Sequence, residues 1–238
     1  MQTIIPLNQP PNSPEWQKLL GVLADKSAAV QCTVIINPAC GPGPRKPWED
    51  RRHWLGLMAR IRGTGARLAL YLRARNAEVC GEPGGGRWEY HRRKESEILR
   101  DIEVWRAHFL TPIGDDTAAW WIDRHPSLLE SLEFPEVKAM YAALGRDYTI
   151  ANVRSVAAAE WARHCPARAL AIHCGTGWPP MTEPTLAGKP TAIIATGQSA
   201  LMPGAKKAAS FLYVTPENHG DTFATLSPLL PRILSLNS

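Results

Sequence analysis

The chain has 238 residues, 45% of them hydrophobic and 21% charged, with 27 basic against 22 acidic side chains for a formal charge of +5. That balance excludes a disordered or collagen-like chain, and the absence of any run of about 18 apolar residues excludes a helical membrane span. The length suits one large domain, and a barrel of about 250 residues is within reach.

The opening Met1-Gln-Thr-Ile-Ile-Pro-Leu7 has no basic leader, no apolar core and no small-residue cleavage site. No Sec signal peptide is expected, so the protein stays in the cytoplasm, is carried on a particle such as a virion, or leaves by another route or as a mature form. Ile4–Leu7 predicts a first strand. Ser13-Pro14 then opens a helix whose Trp16, Leu19, Leu20 and Leu23 share one face. Cys32–Ile36 is a nearly continuous apolar run, the pattern of a strand buried on both sides. Trp54, Leu57, Met58 and Ile61 mark a second helix, stopped at Gly63 or Gly65, and Ala66–Leu72 a third strand. The stretch after it, with Gly84-Gly85-Gly86, reads as a long loop. It gathers Arg73, Arg75, Arg87, Arg92, Arg93 and Lys94 beside Trp88, Tyr90 and His91, a mixture suited to an anionic or sugar-rich polymer or simply to a solvated loop.

Ile98, Ile102, Trp105 and Phe109 form the next helix stripe, and Thr117–Ile122 a strand ending in Asp123. Val137, Met140, Tyr141 and Leu144 are a helix core face. Strands at Tyr148–Ala151, Leu170–Ile172, Thr191–Ala195 and Phe211–Val214 follow, with helices over Val156–His164 and from about Asp221 to Leu236. Eight short apolar strands, most separated by an amphipathic helix, predict an α/β fold: a single (β/α)8 TIM barrel domain over residues 1–238.

Such a barrel builds its site at the C-terminal strand ends. That rule selects Asn8, Asn37, Arg73 and Arg75, Asp123 and Arg124, Asn152 and Arg154, His173, and Trp178 in a loop on the same side. A polar, amide-rich rim with aromatic platforms suits sugars. Asp123 is the candidate catalytic residue, with His173 a weaker general acid or base, and the others are candidate substrate-binding residues. The alternatives stay open: Asp123 as an ion-paired strand end holding Arg154, His173 as a satisfied core histidine, Asn37 as a turn cap, Trp178 as a loop anchor. His91, His164 and His173 have no ligand spacing, so no metal is expected, and no cofactor. The five cysteines (Cys32, Cys40, Cys80, Cys165 and Cys174) are expected to be reduced, a Cys40–Cys80 bridge being the alternative. No nucleic-acid motif accompanies the basic stretch, so neither nucleic acid nor membrane is an expected partner.

Ile4-Ile-Pro-Leu7, Ile35-Ile-Asn-Pro-Ala-Cys-Gly-Pro-Gly43, Leu70-Tyr71-Leu72, Trp120-Trp121-Ile122-Asp123 and Leu212-Tyr213-Val214-Thr215 span nearly the whole chain. In these segments it resembles the spherulation-specific family 4 (spherulin 4) proteins, (β/α)8 barrels related to microbial exopolysaccharide glycosidases. The resemblance implies a polysaccharide ligand and three carboxylates. Here the family's Asp-Glu reads Asp123-Arg124, its Asn-Pro-Gly reads Asn152-Val153-Arg154, and its Glu near the sixth strand gives way to Ile172-His173-Cys174. Two of the three expected carboxylates are therefore replaced.

Glycoside hydrolysis ordinarily needs two carboxyl groups, about 5–5.5 Å apart for retention or about 6.5–9.5 Å for inversion. A second acid would have to come from a loop, from Glu217 or Glu82. The expectation is a glycoside-hydrolase-like barrel that binds a microbial polysaccharide, cleavage being open and the two-carboxylate site largely lost. The alternative is a non-catalytic structural or glycan-binding component of a larger assembly such as a phage virion or tail.

Overall fold

The computed structural model describes residues 2–7, 9–38, 50–80, 87–114, 118–126, 128–153, 159–173, 185–196 and 211–215. Strand β1 (Gln2–Leu7) leads through α1 (Pro14–Val22) and a short α2 (Lys26–Ala29) to β2 (Cys32–Ile36), whose five residues are all buried. The Ser13 hydroxyl accepts from the Glu15 amide and Pro14 occupies the first turn, so α1 begins where the sequence places its start. Helix α3 (Arg51–Thr64) buries Trp54, Leu57, Met58 and Ile61 and ends at Gly65.

Strand β3 (Arg67–Arg73) runs into β4 (Arg75–Cys80), which pairs antiparallel with β5 (Arg87–Arg92). Then come α4 (Glu95–Trp105), a π-helical turn (Arg106–Leu110) and α5 (Thr111–Ile113). Strand β6 (Ala119–Asp123) is followed by a 3-10 turn (Leu129–Glu133), α6 (Pro135–Leu144), β7 (Tyr148–Val153), α7 (Ala159–His164) and β8 (Ala169–His173). A two-residue β9 (Thr185–Leu186), β10 (Lys189–Thr196) and β11 (Phe211–Thr215) complete the described elements.

The main sheet runs β11-β1-β2-β3-β6-β7-β8-β10-β9. All its pairings are parallel except β9 with β10, and β11 pairs with β10 as well as with β1. The result is an α/β fold on a parallel sheet, and its described helices follow the strands from β1 to β7. The helix expected from about Asp221 to Leu236 falls outside the described residues.

Alternation along the strands divides the apolar side chains between two faces. Inside lie Ile4, Ile35, Ala69, Ala119, Trp121, Ile150, Ala169 and Ala171, with Tyr71 packed against them. Outside, Val34, Leu68, Leu70, Trp120 and Ile122 meet helix residues such as Trp16, Trp54, Ile98, Trp105 and Met140. Trp16 and Trp54 meet edge to face at 6.0 Å, and the Trp105 indole donates to the Tyr71 carbonyl at 3.1 Å. Cys32 and Cys165 are both buried, and burial pushes the Cys32 thiol up to about 12. Cys40 lies outside the described residues, so the Cys40–Cys80 alternative does too. Among the described residues, no helix is long and apolar enough to cross a membrane.

The structure corrects one reading. The stretch after β3 is not simply a loop: its basic and aromatic residues build the β4–β5 ribbon. Trp88, Tyr90 and Arg92 alternate with Arg87, Glu89 and His91, a period-two pattern that the neighbouring glycines obscure. Two of its arginines are committed to the fold. Both Arg92 nitrogens donate to Glu136 at 2.6 Å, and Arg92 stacks on Phe134 at 4.1 Å. Arg93, 9% exposed, donates to the Arg73 carbonyl at 2.7 Å and to Asp101 at 2.9 Å.

Gly65 carries a φ of +95°, and a Cβ there would meet Val30 Cγ1 at 3.2 Å. Val30 is 55% exposed and free to turn aside, so backbone strain dominates the cost of a side chain. Gly65→Ala is expected to destabilise the fold by about 1–2 kcal/mol, read as a lower urea midpoint at unchanged slope.

Candidate functional site

Strand β3 presents Tyr71 inward, and the same alternation carries Arg73 to the end of that face, in register with Asp123 of β6. Neighbouring β7 brings Asn152 alongside. The Asp123 carboxylate accepts from the Tyr71 hydroxyl at 2.5 Å through Oδ2 and from the Asn152 amide at 2.7 Å through Oδ1. The Arg124 guanidinium stands 3.4 Å from Oδ2. The side chains of Asp123 and Arg124 are 18% and 17% exposed, so the cluster is recessed yet open to a ligand. The Asn152 amide oxygen is buried without a hydrogen-bond partner, an acceptor directly beside Asp123.

Backbone contacts fix this corner. The Ala74 amide donates to the Asp123 carbonyl at 3.0 Å and the His125 amide to the Asn152 carbonyl at 3.2 Å. Between them Arg124 takes a left-handed φ of 56°, a conformation a non-glycine residue holds only where its surroundings over-determine it.

Tyr71 is the residue the strand-end rule overlooks, because it sits one inward position below the rim. The resembling segment Leu70-Tyr71-Leu72 already contained it, and so did the alternation through Arg73. Burial first, then the Asp123 charge and hydrogen bond, push its phenol well above the usual range, while Arg124 and Arg73 pull the other way. The phenol therefore stays protonated at neutral pH. It serves as a donor that holds Asp123 and is no ready nucleophile.

Of the other predicted residues, Arg73 is exposed, and Asn37 is half-buried directly after β2. Arg75 begins β4 and lies towards the Arg92–Glu136 pair and His125, whose charges act on it or feel it. His173 ends β8 at the same sheet end as Asp123. Its side chain, like Asn8, Arg154 and Trp178, lies outside the described residues, and so do Glu82 and Glu217. Among the described residues, Asp123 is the one acid that ends a parallel strand. No group of three His, Cys, Asp or Glu among them is placed to hold a metal.

A second polar cluster went unread in the sequence. His125 is buried, its Nδ1 2.7 Å from the Pro126 carbonyl and its Nε2 2.9 Å from the Tyr141 hydroxyl, which lies 3.8 Å from Cys165 Sγ. The Trp161 ring packs against it at 5.5 Å. These groups belong to the layer outside the sheet, away from Asp123.

Residues 2–157 match spherulation-specific family 4. The chain belongs to this family. The matched stretch holds Asn37, Tyr71, Arg73, Asp123, Arg124 and Asn152 and stops before His173. No curated protein matches the chain. Among solved structures, the family 4 chain is similar at 12% identity to a xylanase-alpha-amylase inhibitor protein in complex with trehalose, with a TM-score of 0.54 over 99% of this chain and 98% of that one. It is also similar at 12% identity to dihydrodipicolinate synthase from Agrobacterium tumefaciens str. C58, with a TM-score of 0.53 over 90% of this chain and 69% of that one. At this identity the likeness is one of fold.

Proposed function

We propose that this family 4 chain is a glycoside-hydrolase-like (β/α)8 barrel that binds a polysaccharide at the Asp123 end of its sheet, with paired-carboxylate cleavage lost. One observation carries it: Asp123 has both oxygens engaged, by Tyr71 and Asn152, and its close charged neighbour is the guanidinium of Arg124. Cleavage needs one carboxyl group to protonate the leaving oxygen and a second to attack or activate water. A carboxylate fixed by two donors suits a different task, accepting hydrogen bonds from sugar hydroxyls at low entropic cost. The trehalose complex of the xylanase-alpha-amylase inhibitor protein is in keeping with a sugar site on this scaffold.

Retention of the purified protein on immobilised microbial polysaccharides, with released reducing ends measured in parallel, tests the reading. Retention without release above background is expected, weakened about tenfold in Asp123→Ala. Release that disappears in Asp123→Asn overturns the loss of cleavage, and failure to retain on any glycan overturns the binding.

A further inference from the structure

The charge around Asp123 has the wrong sign for a site built only for neutral sugar. Two arginines flank the Asp123 carboxylate that Tyr71 holds: Arg124 follows it in the chain, and Arg73 stands in register with it on the neighbouring strand end. Arg124 is matched by Asp123 at 3.4 Å. Arg73 is not: its carbonyl is used by Arg93, but its guanidinium has no carboxylate partner among the described residues, and it is exposed at the rim in register with Asp123. Nearby arginines differ in this respect, since Arg92 is tied to Glu136 and Arg93 to Asp101. Among the described residues, the mouth thus keeps one surplus planar cation next to the anchored Asp123 carboxylate.

From this arrangement we infer that the ligand is an acidic glycan, a polymer with carboxylated (uronic acid) sugars, whose carboxylate is taken by Arg73 while the Asp123 carboxylate accepts from ring hydroxyls. The inference rests on the glycan-binding reading above and narrows its substrate class. A guanidinium grips a carboxylate through two parallel N–H donors, whereas a neutral sugar offers it only isolated hydroxyls. The rim spacing of one strand, about 4.8 Å, is on the scale of a pyranose ring. Asp123 does not repel such a ligand strongly, because Arg124 already balances its charge.

The test is calorimetric titration of the full-length chain with three oligosaccharide probes of equal length: an oligogalacturonate, a neutral oligogalactan and a cationic oligoglucosamine. The uronate is expected to bind at least about tenfold more tightly than the neutral probe, its affinity falling as salt is raised. In Arg73→Gln that preference falls to near one, while Arg73→Lys keeps part of it, because charge remains and the fork is lost. Thermal melts check that both variants are folded. Neutral or cationic oligomer binding as tightly as the uronate, or a preference undiminished in Arg73→Gln, overturns the acidic-glycan inference and leaves glycan binding standing. Failure of all three probes to bind removes both readings together.

Discussion

Replacing Trp121 with alanine is expected to cost about 3–5 kcal/mol of folding stability and to abolish ligand binding at the Asp123 mouth. Trp121 is 2% exposed on the inner face of the sheet, where four of its companions are alanines, Ala69, Ala119, Ala169 and Ala171. Among the described residues of that face, the indole is the largest side chain filling the space. The surrounding methyl groups cannot collapse into the gap its loss leaves, which sets the cost at the upper end for a large core side chain. Function is lost with it through register. Trp121 pairs with Tyr71 on one side and Ile150 on the other, so it supports the phenol that holds Asp123 and the strand that carries Asn152. Urea unfolding measures the first effect, and titration with a bound glycan under conditions where the variant is folded measures the second. Trp121→Phe keeps most of the bulk and should recover more than half of the stability. A loss below about 1 kcal/mol in Trp121→Ala would show that the inner face repacks, and the account of the alanines as too small to close the gap would be wrong.

The same register explains what was legible in the sequence. Parallel strands stand out because both of their faces are apolar: Cys32–Ile36 reads as a strand with no help from its partners, and all five residues are buried. Asp123 stands out because it ends such a run. Tyr71 does not, since a rule that selects strand ends passes over the inward residue one step below. His125 was invisible for a different reason. Its placement outside the sheet follows from the left-handed turn at Arg124, and an arginine gives no signal for that conformation as a glycine would. The β4–β5 ribbon was hidden by the glycines that link its strands. The commitment of Arg92 to Glu136 was also out of sight, because the two lie 44 residues apart in sequence. Charge in a sequence can be counted locally, but whether it is surplus depends on partners brought in by the fold. That distinction separates Arg73 from Arg92 and Arg93.

His125 makes the fold sensitive to mild acid. Its Nδ1–H donates to the Pro126 carbonyl and its Nε2 accepts from Tyr141, so the neutral ring is fully satisfied and a second proton has nowhere to go. Burial, with a smaller contribution from the Arg75 charge against the favourable Pro126 contact, lowers its pKa from 6.5 to about 4. The unfolded chain takes up the proton near pH 6.5 and the folded chain only near 4, so the unfolded state binds more protons between them. Stability is complete above pH 6.5, falls by about 1.4 kcal/mol per pH unit below it, and levels off near pH 4 after a loss of about 3 kcal/mol. Glu136 acts in a different window. Its hydrogen bond from Arg92 holds the carboxyl below its usual 4.5, so its contribution disappears only in stronger acid. Urea unfolding at pH 7, 6, 5 and 4.5 separates the two. The wild-type chain should lose stability throughout that range, and His125→Phe should show a nearly flat profile from a lower starting point, because Tyr141 loses its acceptor. An unchanged slope in His125→Phe would mean that another buried group takes up the proton, and the satisfied neutral ring would not be the source of the acid sensitivity.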